Sequence, residues 1–125
     1  MNRGFTKKNG YNTGRGGGIE NEMTGDILLS NLVISNNQAS SGGGIAVEGI
    51  GGVWMGEAHV TVENVVFSGN HATGNGGGFS AHEDFVSTLF KSVTFANNTA
   101  DGSGGGMDFY SMGNYAVILN SIIGN

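Results

Sequence analysis

The sequence predicts an all-β chain wound as a right-handed, single-stranded parallel β-helix of about four coils of roughly 28 residues, and three observations carry that expectation. A motif recurs in register: Ile34 to Ala39 followed by Gly42-Gly43-Gly44-Ile45, Phe67 to Ala72 followed by Gly76-Gly77-Gly78-Phe79, and Phe95 to Ala100 followed by Gly104-Gly105-Gly106-Met107. Each unit reads apolar-x-x-Asn-x-Ala, a spacer, three glycines and an apolar residue. Second, apolar residues alternate over short runs, as in Ile45 to Val47, Val60 to Val62, Val65 to Phe67, Val93 to Phe95 and Val117 to Leu119, which is the period of half-buried strands. Third, no stretch has helical periodicity bounded by caps, and proline is absent. Self-similarity at such a period is the mark of a solenoid.

The units follow in order. A degenerate copy runs from Phe5 through Gly16-Gly17-Gly18-Ile19, and a truncated one, Asn120 to Ile123, closes the chain. The coils are expected at about 5–30, 31–63, 64–91 and 92–119, with a partial coil over 120–125, all in one domain or in a fragment of a longer array. The glycine triplets begin at 16, 42, 76 and 104, whereas Phe67, Phe95 and Ile123 step by 28. Fixed strands with insertions between them explain the difference.

Stacked coils turn equivalent positions into columns about 4.8 Å apart. Ile34, Phe67, Phe95 and Ile123 form an inward apolar column, and Ala39, Ala72 and Ala100 a narrow one. Asn37, Asn70 and Asn98 form an asparagine ladder, each amide donating to a carbonyl of the next coil and satisfying buried polar groups of the turn. A second polar column, Asn31, Asn64, Ser92 and Asn120, lies three residues before the apolar anchor. Gly42, Gly43 and Gly44, with Gly76, Gly77, Gly78, Gly104, Gly105 and Gly106, are expected at tight corners that need positive φ and no Cβ against the neighbouring coil. A phosphate cradle would require a Lys-Ser/Thr and a following helix, which no triplet has.

These two signatures resemble the repeat of the chlamydial polymorphic outer-membrane proteins, with its paired FxxN and GGA[ILV] motifs, also found in large surface proteins of other bacteria and of some protists. The resemblance covers most of the chain. Gly44, Gly78 and Gly106 stand where alanine is usual, and Ile34 replaces phenylalanine in one copy. It implies a secreted or surface-displayed β-helix, extracellular in location, used as a passenger or adhesive stalk. It implies no catalytic residue set.

Composition narrows the rest. Charged residues are 12% of the chain, with 25 glycines in the space they leave. The net charge of −5, with basic residues only at Arg3, Lys7, Lys8, Arg15 and Lys91, argues against nucleic-acid binding. Absence of cysteine excludes a disulfide frame and a thiolate metal site. No run is apolar enough for a helical membrane span, and the N-terminus has no signal-peptide core. The degenerate opening copy and the end in mid-motif read as the cut edges of a longer array.

Several positions invite a site. Ile45 to Asn64 spans 19 residues where the corresponding distances are 12, 13 and 13, and this insertion, about 49–57, holds the single tryptophan. Trp54, Met55 and Glu57 are the contact-loop candidates, since loops on solenoids carry function; the competing reading folds Trp54 over the coil as a plug. His82-Glu83-Asp84 is the densest ionisable cluster, but nothing acidic aligns with it at Tyr110 and Met112, so a solvated turn is expected. Asp101 and Asp108 lack the repeated aspartates of a calcium repeat, the equivalents of Asp108 being Glu20, Ala46 and Ser80. His59, His71 and His82 are too scattered for a metal site, and no nucleophile-elbow motif supports Ser/His/Asp chemistry. Phe109, Tyr110, Met112 and Tyr115 read either as core and loop packing or as the interface to a next coil. Asn97-Asn98-Thr99 is a glycosylation sequon.

The function expected is that of a non-enzymatic structural or adhesive segment, without metal or cofactor. It would contact other protein chains, neighbouring β-helix coils end to end, and glycans. A carbohydrate-active lyase or hydrolase on the same architecture is the alternative, discriminated by whether ionisable side chains of adjacent coils meet in one groove. Ice binding would need a regular threonine column, and Val66 and His71 interrupt it at the positions preceding Thr94 and Thr99.

Overall fold

The structure is a computed structural model that describes residues 2–3, 6–23, 26–49, 58–82, 86–110 and 115–124. Every strand pair is parallel. In chain order the strands are β1 (Asn2–Arg3), β2 (Thr6–Lys8), β3 (Ile19–Met23), β4 (Asp26–Ser35), β5 (Gln38–Ala39), β6 (Ile45–Gly49), β7 (Ala58–Ser68) and β8 (His71–Ala72). They continue with β9 (Phe79–His82), β10 (Val86–Lys91), β11 (Thr94–Ala96), β12 (Thr99–Ala100), β13 (Met107–Phe109), β14 (Tyr115–Leu119) and β15 (Ile122–Ile123). The largest sheet runs β1-β4-β7-β10-β14, with β2, β11 and β15 continuing its rungs; a narrow sheet runs β12-β8-β5, and a third β13-β9-β6-β3. The chain therefore visits three sheets per turn and stacks each turn on the last, which is a parallel β-helix; no helix occurs among the described residues.

The registers match the repeats. Ile34 pairs with Phe67 and Phe67 with Phe95, which pairs with Ile123. Across the insertion, Ile45 still pairs with Phe79 and Asp26 with His59. The extra residues thus fall wholly between the third-sheet strand of one turn and the long strand of the next.

Each turn has three corners, and each corner carries a left-handed residue. The first column is Asn31, Asn64, Ser92 and Asn120, with φ of 56°, 53°, 55° and 47°. The second is Asn9, Asn36, Gly69 and Asn97, at 58°, 55°, 66° and 57°. The third is the opening glycine of each triplet, Gly16, Gly42, Gly76 and Gly104, at 64°, 58°, 69° and 65°. Asparagine bears this conformation better than other residues with a Cβ because its short polar side chain bonds locally. The asparagines before each apolar anchor are thus corner residues, and Asn64 Nδ2 also donates to Asn31 Oδ1 at 2.7 Å.

Positive φ explains only one glycine in each triplet. At the third, space decides: a Cβ on Gly44 would lie 2.5 Å from Gly78 O, and one on Gly78 would lie 2.6 Å from Gly106 O. The triplet combines a left-handed corner with a stretch where two rungs touch backbone to backbone.

The core fills the space between the sheets. Leu29, Val62 and Phe90 form one fully buried column, Leu32, Val65 and Val93 a second, and Ile34, Phe67 and Phe95 a third. Ile45, Val47, Phe79 and Ala81 close the core from the third sheet. Phe67 and Phe95 stack with centroids 4.5 Å apart and planes 1° from parallel, while Phe79 meets Phe67 and Phe90 edge-on. Ala39 and Ala72 are buried where the narrow sheet passes, as a narrow column requires. On the last rung burial fails: Ile118 is 43% exposed and Ile123 49%, though their partners Phe90 and Phe95 are sealed.

Candidate functional site

The ladder asparagines are buried, and their amides make a continuous chain. Asn70 N and Nδ2 both donate to Asn98 Oδ1, at 3.0 and 2.9 Å, and Asn70 Oδ1 accepts from Asn37 N and Nδ2 at 3.1 and 3.0 Å. The remaining Nδ2 proton of each goes backwards: Asn37 to Lys7 O, Asn70 to Ile34 O and Asn98 to Phe67 O, at 3.0, 2.9 and 3.0 Å. Donation to a backbone carbonyl therefore runs to the preceding turn, not the next, and the next turn is joined through its amide oxygen. Three buried asparagines leave no polar atom wasted, and they hold the turn structurally rather than chemically.

Of the contact-loop candidates, Trp54, Met55 and Glu57 lie outside the described residues, as do Glu83, Asp84 and Met112. His82 is not a solvated turn residue. It sits at the end of β9, an inner strand of the third sheet, 8% exposed, with its ring 5.7 Å from that of Tyr110 on the next turn. Glu20, Ala46, Ser80 and Asp108 do fall in one column, so the third sheet brings no second carboxylate next to Asp108. No group of three or more His, Cys, Asp or Glu residues that could hold a metal occurs among the described residues.

His71 is joined to its neighbours on the outer face of the narrow sheet. Its Nδ1 is 2.8 Å from Thr99 Oγ1 on the following turn, and its Nε2 is 3.6 Å from the mostly exposed Asp101 carboxylate. Arg15 pairs with Glu48 at 2.5 Å, and Lys91 with Glu63 at 3.8 Å. These are inter-turn surface clamps, of the kind that contribute little individually.

A different group meets on the outer face of the largest sheet. Asp26 of β4, His59 of β7 and Ser87 of β10 are partners in register on three successive rungs. Inward neighbours Val60 and Thr88 are buried at 1% and 2%, so His59 and Ser87 project outward from the opposite face of the pleat. His59 Nδ1 lies 2.9 Å from Ser87 Oγ. A groove of about 280 Å³ opens beside them, with Thr61, Leu89 and Val117 in its lining. Sequence reading missed this alignment, although a signal existed: each of the three residues stands five before its corner residue, Asn31, Asn64 or Ser92.

No helix among the described residues is long and apolar enough to cross a membrane. No curated protein and no solved structure matches the chain. The family model for the Chlamydia polymorphic membrane protein repeat matches residues 31–48, 64–82 and 92–106. Each stretch runs from the first corner residue through the ladder asparagine to the glycine triplet, so the matched residues are those that form the corners and the buried ladder. Three stretches of the chain, on successive turns, therefore match the repeat of the Chlamydia polymorphic membrane proteins.

Proposed function

We propose that this chain is a structural and adhesive segment of a surface-displayed β-helix, acting as a rigid spacer whose outer faces contact proteins or glycans and whose end stacks on another β-helix. In this reading its role is mechanical, and it takes neither metal nor cofactor. The observation that carries it is the last rung. Ile118 and Ile123, which continue the inward columns of Phe90 and Phe95, are 43% and 49% exposed, while Phe90 and Phe95 on the rung before them are buried. An uncovered rung in perfect register presents both apolar side chains and unpaired backbone groups, and a further parallel rung satisfies both at once.

Light scattering of the purified chain over a concentration series tests this. Self-association that rises with concentration and is abolished by Ile118→Lys or Ile123→Lys supports the reading. A monomer at every concentration, or association indifferent to both lysines, contradicts it. Partner contact by the outer faces is read separately, by retention of the chain on immobilised glycans and on cell-surface protein.

The lyase or hydrolase alternative needs ionisable side chains from adjacent turns in one groove. The groove on the largest sheet holds one ionisable side chain, His59, beside the Ser87 hydroxyl.

A further inference from the structure

From the His59–Ser87 contact we infer a second capability, beyond the structural role and independent of it: hydrolysis of a short acyl ester in the groove on the outer face of the largest sheet. A serine hydroxyl is a weak nucleophile unless a base lies within hydrogen-bond reach, about 2.6–3.2 Å, and is itself oriented by a third group. Ser87 Oγ and His59 Nδ1 are 2.9 Å apart. Asp26 stands opposite His59 on the far side from Ser87, one rung away, about 4.8 Å along the stack. Carboxylate, base and hydroxyl thus stand in register on three successive turns, the carboxylate outside the groove lining, and such constellations are recognised by geometry and role, not by chain order.

The groove sets the substrate class. Its volume of about 280 Å³ and its apolar wall at Leu89 and Val117 suit an acetyl or similarly short acyl group. In the reaction Ser87 Oγ attacks the ester carbonyl carbon while its proton passes to His59. The carbon–oxygen bond to the alcohol breaks, and the alcohol departs with that proton. Water then gives one proton to His59 and its hydroxyl to the acyl carbon, the bond from that carbon to Ser87 Oγ breaks, and the proton returns from His59 to Oγ as the carboxylic acid leaves. Thr61, two residues along from His59 on the same face, puts a further hydroxyl in the lining of the groove. Asp26 acts through His59 and is a positioning residue.

The test uses the whole 125-residue chain. A fluorophosphonate probe read by intact mass and peptide mapping, and turnover of p-nitrophenyl acetate, are compared for the wild type, Ser87→Ala, His59→Phe and Asp26→Asn. The expected result is one adduct on Ser87, lost in Ser87→Ala, with turnover reduced about 100-fold or more in Ser87→Ala and His59→Phe. Asp26→Asn lowers kcat with KM unchanged, which a merely structural role would not produce. No adduct on the wild type, an adduct elsewhere, or Ser87→Ala turnover equal to wild type overturns the proposal. If a variant fails to fold by circular dichroism, the mapped adduct on the wild type decides. A parallel arm measures acetate released from an O-acetylated polysaccharide: release identifies the ester as glycan-borne, and turnover of the nitrophenyl ester alone identifies a small free ester.

Discussion

Asn70 shows how one side chain can hold three turns. It donates to Ile34 O behind it and to Asn98 Oδ1 ahead, and it accepts two bonds from Asn37, all without solvent. Truncation strands several buried partners, each costing about 1–3 kcal/mol. Asn70→Ala is therefore expected to lose about 3 kcal/mol or more in urea unfolding, whereas Asn64→Ala at the exposed corner should lose about 1–2 kcal/mol, from its left-handed backbone alone. The glycines divide in the same way. A Cβ on Gly106 would meet nothing nearer than 3.7 Å, so Gly106→Ala, which restores the alanine usual in the family signature, should be neutral or gain up to about 1 kcal/mol. Gly78→Ala drives a methyl into Gly106 O and the Phe95 ring and should lower the unfolding midpoint sharply. Thermal melts of the two variants side by side check both signs.

Among the elements, the strands and their registers were legible because their markers repeat at fixed offsets. Ile34, Phe67, Phe95 and Ile123 could be aligned without a structure, and they pair as aligned. The ladder was legible too, but not its direction, since nothing in an Asn-x-Ala triplet says which carbonyl lies behind it. The Asp26–His59–Ser87 line escaped notice because its three residues share no chemistry that a repeat search would flag. His82 escaped for another reason: burial on the outside of a sheet depends on what crosses it, which periodicity does not encode. Within the elements Phe67 and Phe95 stack face to face across successive turns. Phe95→Ala should cost about 3–5 kcal/mol in equilibrium unfolding. A double-mutant cycle with Phe67→Ala should show strong coupling between the two rings.

At the scale of the molecule, stability comes from repeating one layer, and each layer is sealed only by its neighbours. The sequence announced the array and its family resemblance, yet not the exposure of Ile118 and Ile123 beside the buried Phe90 and Phe95, because periodicity marks a column and not its burial. The central claim is that growth continues along the axis of the stack. Small-angle X-ray scattering at two concentrations measures this most directly, because it separates the cross-section from the length. A cross-sectional radius that stays constant while the maximum dimension grows is the predicted result. A maximum dimension that does not change with concentration, or a cross-section that widens with it, would contradict the account.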